Sequence, residues 1–193
     1  MIDPSEVAVV LLAAGQSRRF GAGDKLAHDY QGRPLVTHAA EMLGAVPFGR
    51  HIAVVNHQRR DDLPARFEQV INEQPERGLG SSLALGVTRA IDPCAGEIRA
   101  CLVMLGDMPL VPRAHIDALM AAFDRNDPKA RLGTRLDNKV VVPAIFGADY
   151  FPALKALGGD VGARELLQGA HGLSCDPAYL RDFDYPQDFA QGD

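Results

Sequence analysis

What this sequence lacks narrows its role first. Its three cysteines, Cys94, Cys101 and Cys175, are scattered, odd in number and without CxxC spacing. They signal neither a disulfide framework nor a cysteine metal site, and they fit a reducing compartment. Lysine and arginine total 20 against 25 acids, a formal charge of −5. Without a basic excess the chain does not read as a nucleic-acid binder, although cations can still be concentrated locally around a small anionic substrate. No apolar run reaches membrane-spanning length and no basic N-terminal segment precedes one, so a cytoplasmic protein is expected. Repeats, low-complexity tracts and linkers are absent. The six histidines show no HExxH or paired spacing, and no serine lies in a GxSxG elbow. GAGDK echoes a P-loop without the GxxxxGK[ST] frame. Gly78-Leu79-Gly80 with Gly86 imitates a dinucleotide fingerprint, but its spacing is wrong and no apolar strand runs directly into it.

What is present is 193 residues, 47% of them hydrophobic, enough for one domain with a core of its own. Val7–Ala13 is a continuous apolar run and reads as a buried parallel strand. His51–Val55, Glu68–Asn72 and Ala100–Leu105 read as further strands. Pro34–Leu43, Ser82–Ile91 and Pro112–Phe123 carry apolar residues at helical spacing, and Asp61–Phe67 reads as a short helix. Pro34 suits a first helical turn, and Ser81 or Ser82 can cap the helix after the glycine-rich turn. This alternation predicts a parallel α/β sheet flanked by helices. From residue 130 the pattern changes. Lys139–Phe146 is strand-like, with Pro143 marking an edge or a bulge, and helices follow over Asp149–Leu157 and near Gly162–Gln168. This last third is expected to complete the sheet.

The chemistry gathers in two loops. After Val7–Ala13 the chain breaks into the small residues Ala14, Gly15 and Ser17, where backbone N–H groups can approach a ligand. Arg18, Arg19 and Lys25 follow within eight residues, a natural setting for a polyphosphate. The second loop, Gly106-Asp107-Met108-Pro109, ends the apolar strand Ala100–Leu105. In parallel sheets ligands bind beyond the carboxyl ends of the strands, so both loops can share one cleft. Alone, Asp107 reads as a turn-capping carboxylate. Opposite a cationic loop it becomes a candidate Mg²⁺ ligand for a nucleoside triphosphate, with Asp182, Asp184 or Asp188 as the second carboxylate.

Together these residues resemble the MobA/MocA-like nucleotidyltransferases, the family that attaches a nucleotide to molybdopterin. The family motif LAAGxSxRMGxxK has its counterpart in Leu12–Gly21 and Lys25, with Phe20 in place of Met and one extra residue before the lysine. LGDMP stands unaltered at Leu105–Pro109. A GLxxSLxxG-like segment spans Gly78–Gly86, GDxGAR spans Gly159–Arg164, and a DxDTPxD-like ending spans Asp182–Asp188. The GHPVLF-like segment is replaced by Asn138–Phe146, which keeps only the proline and the final phenylalanine.

The resemblance implies a Rossmann-like three-layer α/β/α nucleotidyltransferase fold with a mostly parallel sheet. The nucleotide-binding part would cover about residues 1–126 and the acceptor part about 127–193. Ala13, Ala14, Gly15 and Ser17 would cradle the triphosphate, Arg19 and Lys25 would neutralise it, and Gly80 and Ser82 would hold base and ribose. Asp107 and Asp184 would carry Mg²⁺. Ala13-Ala14-Gly15 leans towards CTP, hence CMP transfer onto a phosphorylated pterin-type acceptor, with a molybdoenzyme or its chaperone as a further partner. The rivals are the same transfer onto a sugar 1-phosphate, a non-catalytic nucleotide-binding accessory protein, and a dinucleotide-binding oxidoreductase.

Overall fold

Strand β1 (Val7–Ala13) is buried along its whole length, and its side chains alternate between two cores. Val7, Val9, Leu11 and Ala13 face one, while Ala8, Val10 and Leu12 face the other. Helices α1 (Leu35–Gly44) and α3 (Arg113–Ala122) cover the first face through Leu35, Ala39, Leu43, Ile116 and Leu119. Helix α2 (Leu79–Ala90), the short α4 (Phe151–Lys155) and a 3₁₀ turn, Gly162–Leu167, cover the second. The result is the expected α/β/α sandwich, in which a fully apolar strand run means burial on both faces. This computed structural model describes residues 1–15, 20, 23–56, 60–92, 96–181 and 183–190.

The remaining strands are β2 (Asp29–Tyr30), β3 (Arg33–Pro34), β4 (Arg50–Asn56), β5 (Glu68–Asn72), β6 (Ala100–Leu105), β7 (Arg131–Leu136), β8 (Lys139–Gly147) and β9 (His171–Ser174). The main sheet has the order β5-β4-β1-β6-β8-β7-β9, and β2 and β3 form a separate hairpin. Parallel pairing joins β5, β4, β1 and β6. The chain moves outward from β1 to β4 and β5, then returns through α2 to place β6 on the other side of β1. That reversal opens a crevice at the carboxyl ends of β1 and β6.

The last third does complete the sheet, but β8 runs antiparallel to both β6 and β7. β8 is therefore interior, and Pro143 marks a bulge rather than an edge. The register shifts at Gly133/Thr134, and the Thr134 hydroxyl donates to the Pro143 carbonyl at 2.9 Å. The helix expected over Asp61–Phe67 is instead a pair of turns. Pro64 removes an N–H from its middle, and the Arg60 guanidinium clamps Asp62 at 2.7 and 3.0 Å. Helix α2 starts at Leu79, three residues earlier than expected, because Gly78 turns the chain at φ +90°. Neither Ser81 nor Ser82 caps it; the Ser81 hydroxyl donates to the Gly78 carbonyl instead.

Two histidines sit inside this frame. Burial lowers the pKa of half-buried His51 and of His115, which is 6% exposed. The Thr134 hydroxyl spends its proton on Pro143, so His115 Nε2, 2.9 Å away, is the donor to it. With pKa values depressed in the fold, the unfolded chain takes up protons first on acidification. Stability should therefore decline as pH drops below the ordinary histidine value of 6.5. Melting curves from mildly alkaline to mildly acidic buffer check this, and the decline should be shallower in His115→Gln.

Candidate active site

At the crevice, the Gly106 N–H donates to the Leu12 carbonyl at 2.9 Å and extends the β1/β6 pairing by one residue. Ala14, Gly15 and Asp107 thus leave the sheet side by side. They line a cleft of about 360 Å³ together with Phe20, Lys25, Leu79, Ser82, Asp160 and Asp184.

Lys25 is the centre of the charge arrangement. It opens a 3₁₀ turn, Lys25–Ala27, whose start is capped by the Asp24 carboxylate accepting from the Leu26 N–H at 2.9 Å. Buried Leu26 anchors the turn, and an ion pair between Asp24 and Arg60 ties it to the β4–β5 connection. From there Lys25 Nζ reaches Asp107 Oδ2 at 2.7 Å and Asp184 Oδ1 at 3.0 Å. The lysine side chain is 11% exposed, against 28% and 31% for the carboxylates. Burial, the largest single influence, pushes its pKa down, but the combined attraction of Asp107 and Asp184 outweighs burial and raises it. Lys25 is therefore a permanent cation at neutral pH and does not serve as a base.

Asp184 comes from the C-terminal segment, which rings hold in place. Buried Phe183 packs edge-on against Tyr30 and Phe189, with centroids 4.9 and 5.4 Å apart, and Phe189 in turn meets Phe20 at 5.4 Å. Asp188, another candidate second carboxylate, is occupied in this segment as a turn cap, accepting from the Tyr185 N–H at 2.7 Å. Asp182 lies outside the described residues, as do Ser17 and Arg19.

Two expected nucleotide contacts do not line the cleft. Ala13 is 1% exposed and packs in the core. Gly80 is small for an internal reason: its N–H donates to the Gly159 carbonyl at 2.8 Å, and a Cβ there would lie 2.7 Å from the Gly158 oxygen. The loop at 158–162 thus seats on the start of α2 and brings Asp160 to the cleft wall. All three had a signal in the motif-like segments: Asp160 in GDxGAR, Leu79 in GLxxSLxxG and Phe20 at the Met position of LAAGxSxRMGxxK.

Gly15 is different. Among the described residues a Cβ built on it meets no atom within 4 Å beyond its chain neighbours, and its φ is not in the left-handed region. Packing against the described residues does not demand glycine here; a ligand lying against the backbone would. Gly15→Ala should melt within about 1 °C of the parent yet bind nucleoside triphosphate at least tenfold more weakly by calorimetry.

The Lys25 ammonium already stands as a cation between two carboxylate oxygens, so Asp107 and Asp184 form a donor pair of the right chemistry for a hard divalent ion. Among the described residues no group of three or more His, Cys, Asp or Glu side chains could hold a metal. Among the described residues Asp107 and Asp184 are thus the pair available to such an ion. Among the same residues no helix is long and apolar enough to cross a membrane.

This geometry agrees with the chain's likeness to known proteins. Purine catabolism protein PucB of Bacillus subtilis is 28% identical over 198 residues, covering 93% of this chain and 92% of PucB. Nicotine blue oxidoreductase of Paenarthrobacter nicotinovorans is 30% identical over 172 residues, 84% of this chain and 81% of that protein. The bifunctional protein GlmU of an Exiguobacterium species is 30% identical over 131 residues, 66% of this chain, and the match spans only 28% of GlmU.

Among solved structures, a nucleotidyl transferase from Methanothermobacter superposes with a TM-score of 0.76 at 20% identity, covering 96% and 94% of the two chains. The manganese complex of Rv0371c from Mycobacterium tuberculosis gives 0.66 at 20%, covering 88% of each. CMP:2-keto-3-deoxy-manno-octonic acid synthetase complexed with CTP gives 0.70 at 12%, covering 96% and 95%. At these identities the structures speak for the fold. The family is carried by the sequence itself, because the model of the MobA-like NTP transferase domain matches residues 9–175, from inside β1 to the end of β9. The chain belongs to the MobA-like NTP transferase family of nucleotidyltransferases.

Proposed function

We propose that this protein transfers CMP from CTP onto the terminal phosphate of a pterin-type acceptor, molybdopterin, with release of pyrophosphate. The observation that carries the reading is the convergence of Lys25, Asp107 and Asp184 on one cation position beyond the switch between β1 and β6. An acceptor phosphate oxygen attacks the α-phosphorus in line. The bond to the bridging oxygen breaks as the new P–O bond forms, and pyrophosphate departs with the electron pair. A phosphate monoester is anionic near neutral pH and needs no strong base, which suits a site whose lysine stays protonated. Catalysis comes from positioning and charge neutralisation.

In this reading Ala14 and Gly15 offer backbone to the phosphates, and Ser17, two positions further along the sequence, would add to them. Lys25 and Arg19 would offset phosphate charge, and Ser82 would border the nucleoside, while Gly80 acts only by seating the 158–162 loop. Asp107 and Asp184 would hold a divalent cation, Mg²⁺, which when bound would supply charge withdrawal from the α-phosphate and leaving group. The manganese complex of a neighbour of the same fold supports a divalent ion, and the CTP complex of another supports a cytidine nucleotide. Residues 1–126 form the nucleotide side and 127–193 the acceptor side.

The likenesses to GlmU and to the octonic acid synthetase favour one second reading, the same transfer onto a sugar phosphate or related acceptor. Pyrophosphate release measured with each of the four NTPs, Mg²⁺, and molybdopterin or a sugar 1-phosphate separates these outcomes. CTP with molybdopterin should give the fastest release. Release with the sugar phosphate alone selects the second reading, and none with any pair ends both. Reduction of a dye substrate without pyrophosphate release would align the chain with its oxidoreductase relative instead.

A further inference from the structure

Beside the cleft, three residues form a hydrogen-bond chain with a definite direction. The Gln74 backbone N–H donates to Asn72 Oδ1 at 2.9 Å. A backbone donor can meet only the oxygen of the amide, so this contact fixes an orientation otherwise open to a flip. The Asn72 NH₂ group then faces Ser82 and donates to its Oγ at 2.9 Å. The two residues are 6% and 4% exposed, so water does not compete for this bond.

A serine hydroxyl has one proton and two lone pairs. With an amide N–H arriving on a lone pair, the Ser82 proton has to point elsewhere. The Gly78 carbonyl, one turn back, accepts from the Ser81 hydroxyl instead. No hydrogen bond donated by Ser82 Oγ is found among the described residues. Ser82 also lines the cleft. A buried O–H with one lone pair engaged and its proton unspent is a donor waiting for a ligand atom.

We propose that Asn72, at the end of β5, is a positioning residue that fixes the Ser82 hydroxyl as a hydrogen-bond donor to a lone-pair acceptor on the nucleoside part of the bound nucleotide. This rests on the cleft being the nucleotide site proposed above. Asn72→Asp tests it, because the side chain keeps its shape but offers only lone pairs. It accepts from both the Gln74 N–H and the Ser82 O–H, and so turns the hydroxyl away from the ligand.

Calorimetry with CTP and Mn²⁺ on the full chain, alongside melting curves, gives the readout. Affinity should fall about ten- to hundredfold in Asn72→Asp and about tenfold in Ser82→Ala. In the Ser82→Ala background, adding Asn72→Asp should cost little more. Binding of inorganic tripolyphosphate should hold steady in both single variants. Undiminished CTP affinity in Ser82→Ala overturns the inference, as does an Asn72→Asp loss that persists in full without Ser82, or an equal loss for tripolyphosphate. If Asn72→Asp does not fold, Ser82→Ala with the two ligands still decides. A parent protein that binds no CTP removes the nucleotide reading itself, and this inference with it.

Discussion

Lys25→Met should lower kcat by about 10²–10³-fold, the loss typical when one preorganised charge contact to a transition state is removed. Methionine keeps much of the lysine's length and apolar stem, so the turn held by Leu26 and Asp24 should persist. The two carboxylates left behind are each more than a quarter exposed and can be solvated. Binding should respond in the opposite sense for the metal. With the ammonium gone from between Asp107 and Asp184, Mn²⁺ without nucleotide should bind more tightly than to the parent protein, because an internal competitor has left. Steady-state pyrophosphate release and a Mn²⁺ titration measure the two effects, and near-parental turnover would take Lys25 out of the reaction. The pH profile adds a check. A lysine whose pKa is raised stays charged up to at least its ordinary value of 10.5, so on the alkaline side its ion pairs persist to that value. No alkaline limb below that value should depend on Lys25.

Asp107→Asn should be as damaging, through a different term. The amide preserves volume but loses the charge, and it can turn an NH₂ group towards Lys25 Nζ, setting donor against donor where a 2.7 Å ion pair stood. A site left with only Asp184 should hold a divalent cation less tightly, since half of the carboxylate charge facing the ion has gone. Turnover should fall about 10²–10³-fold, and raising Mn²⁺ should recover part of it if the defect is metal occupancy. A variant that turns over normally at low metal would show that the ion is held elsewhere. The partial exposure of Asp107 keeps the cost to folding small, so melting temperature separates this loss from unfolding.

Much of the fold was legible because a few segments allow only one environment. Val7–Ala13 and Ala100–Leu105 carry no polar residue, so both had to be buried central strands, and the loops after them had to emerge at the same end of the sheet. The short hairpin strands β2 and β3, and β7 and β9 of the main sheet, lack that mark. Arg131–Leu136 carries two arginines, and His171–Ser174 offers one large apolar side chain. Their pairing with β8 and with each other makes them strands. Asp61–Phe67 misled for a related reason: apolar spacing suggested a helix, while Pro64 and the Arg60–Asp62 clamp held it in turns.

The order of the chain alone settled which chemical groups were available, namely a small-residue turn followed by cations and an aspartate at the end of a second apolar strand. That holds because short-range periodicity and turn chemistry act over a few residues. Only the tertiary structure decided that Lys25 meets Asp184 across 159 positions, that Gly80 is small to admit Gly158, and that Asn72 takes hold of Ser82. Each of these is a contact between distant segments, set by strand order and by the aromatic packing of the C-terminal segment, and no local pattern encodes it.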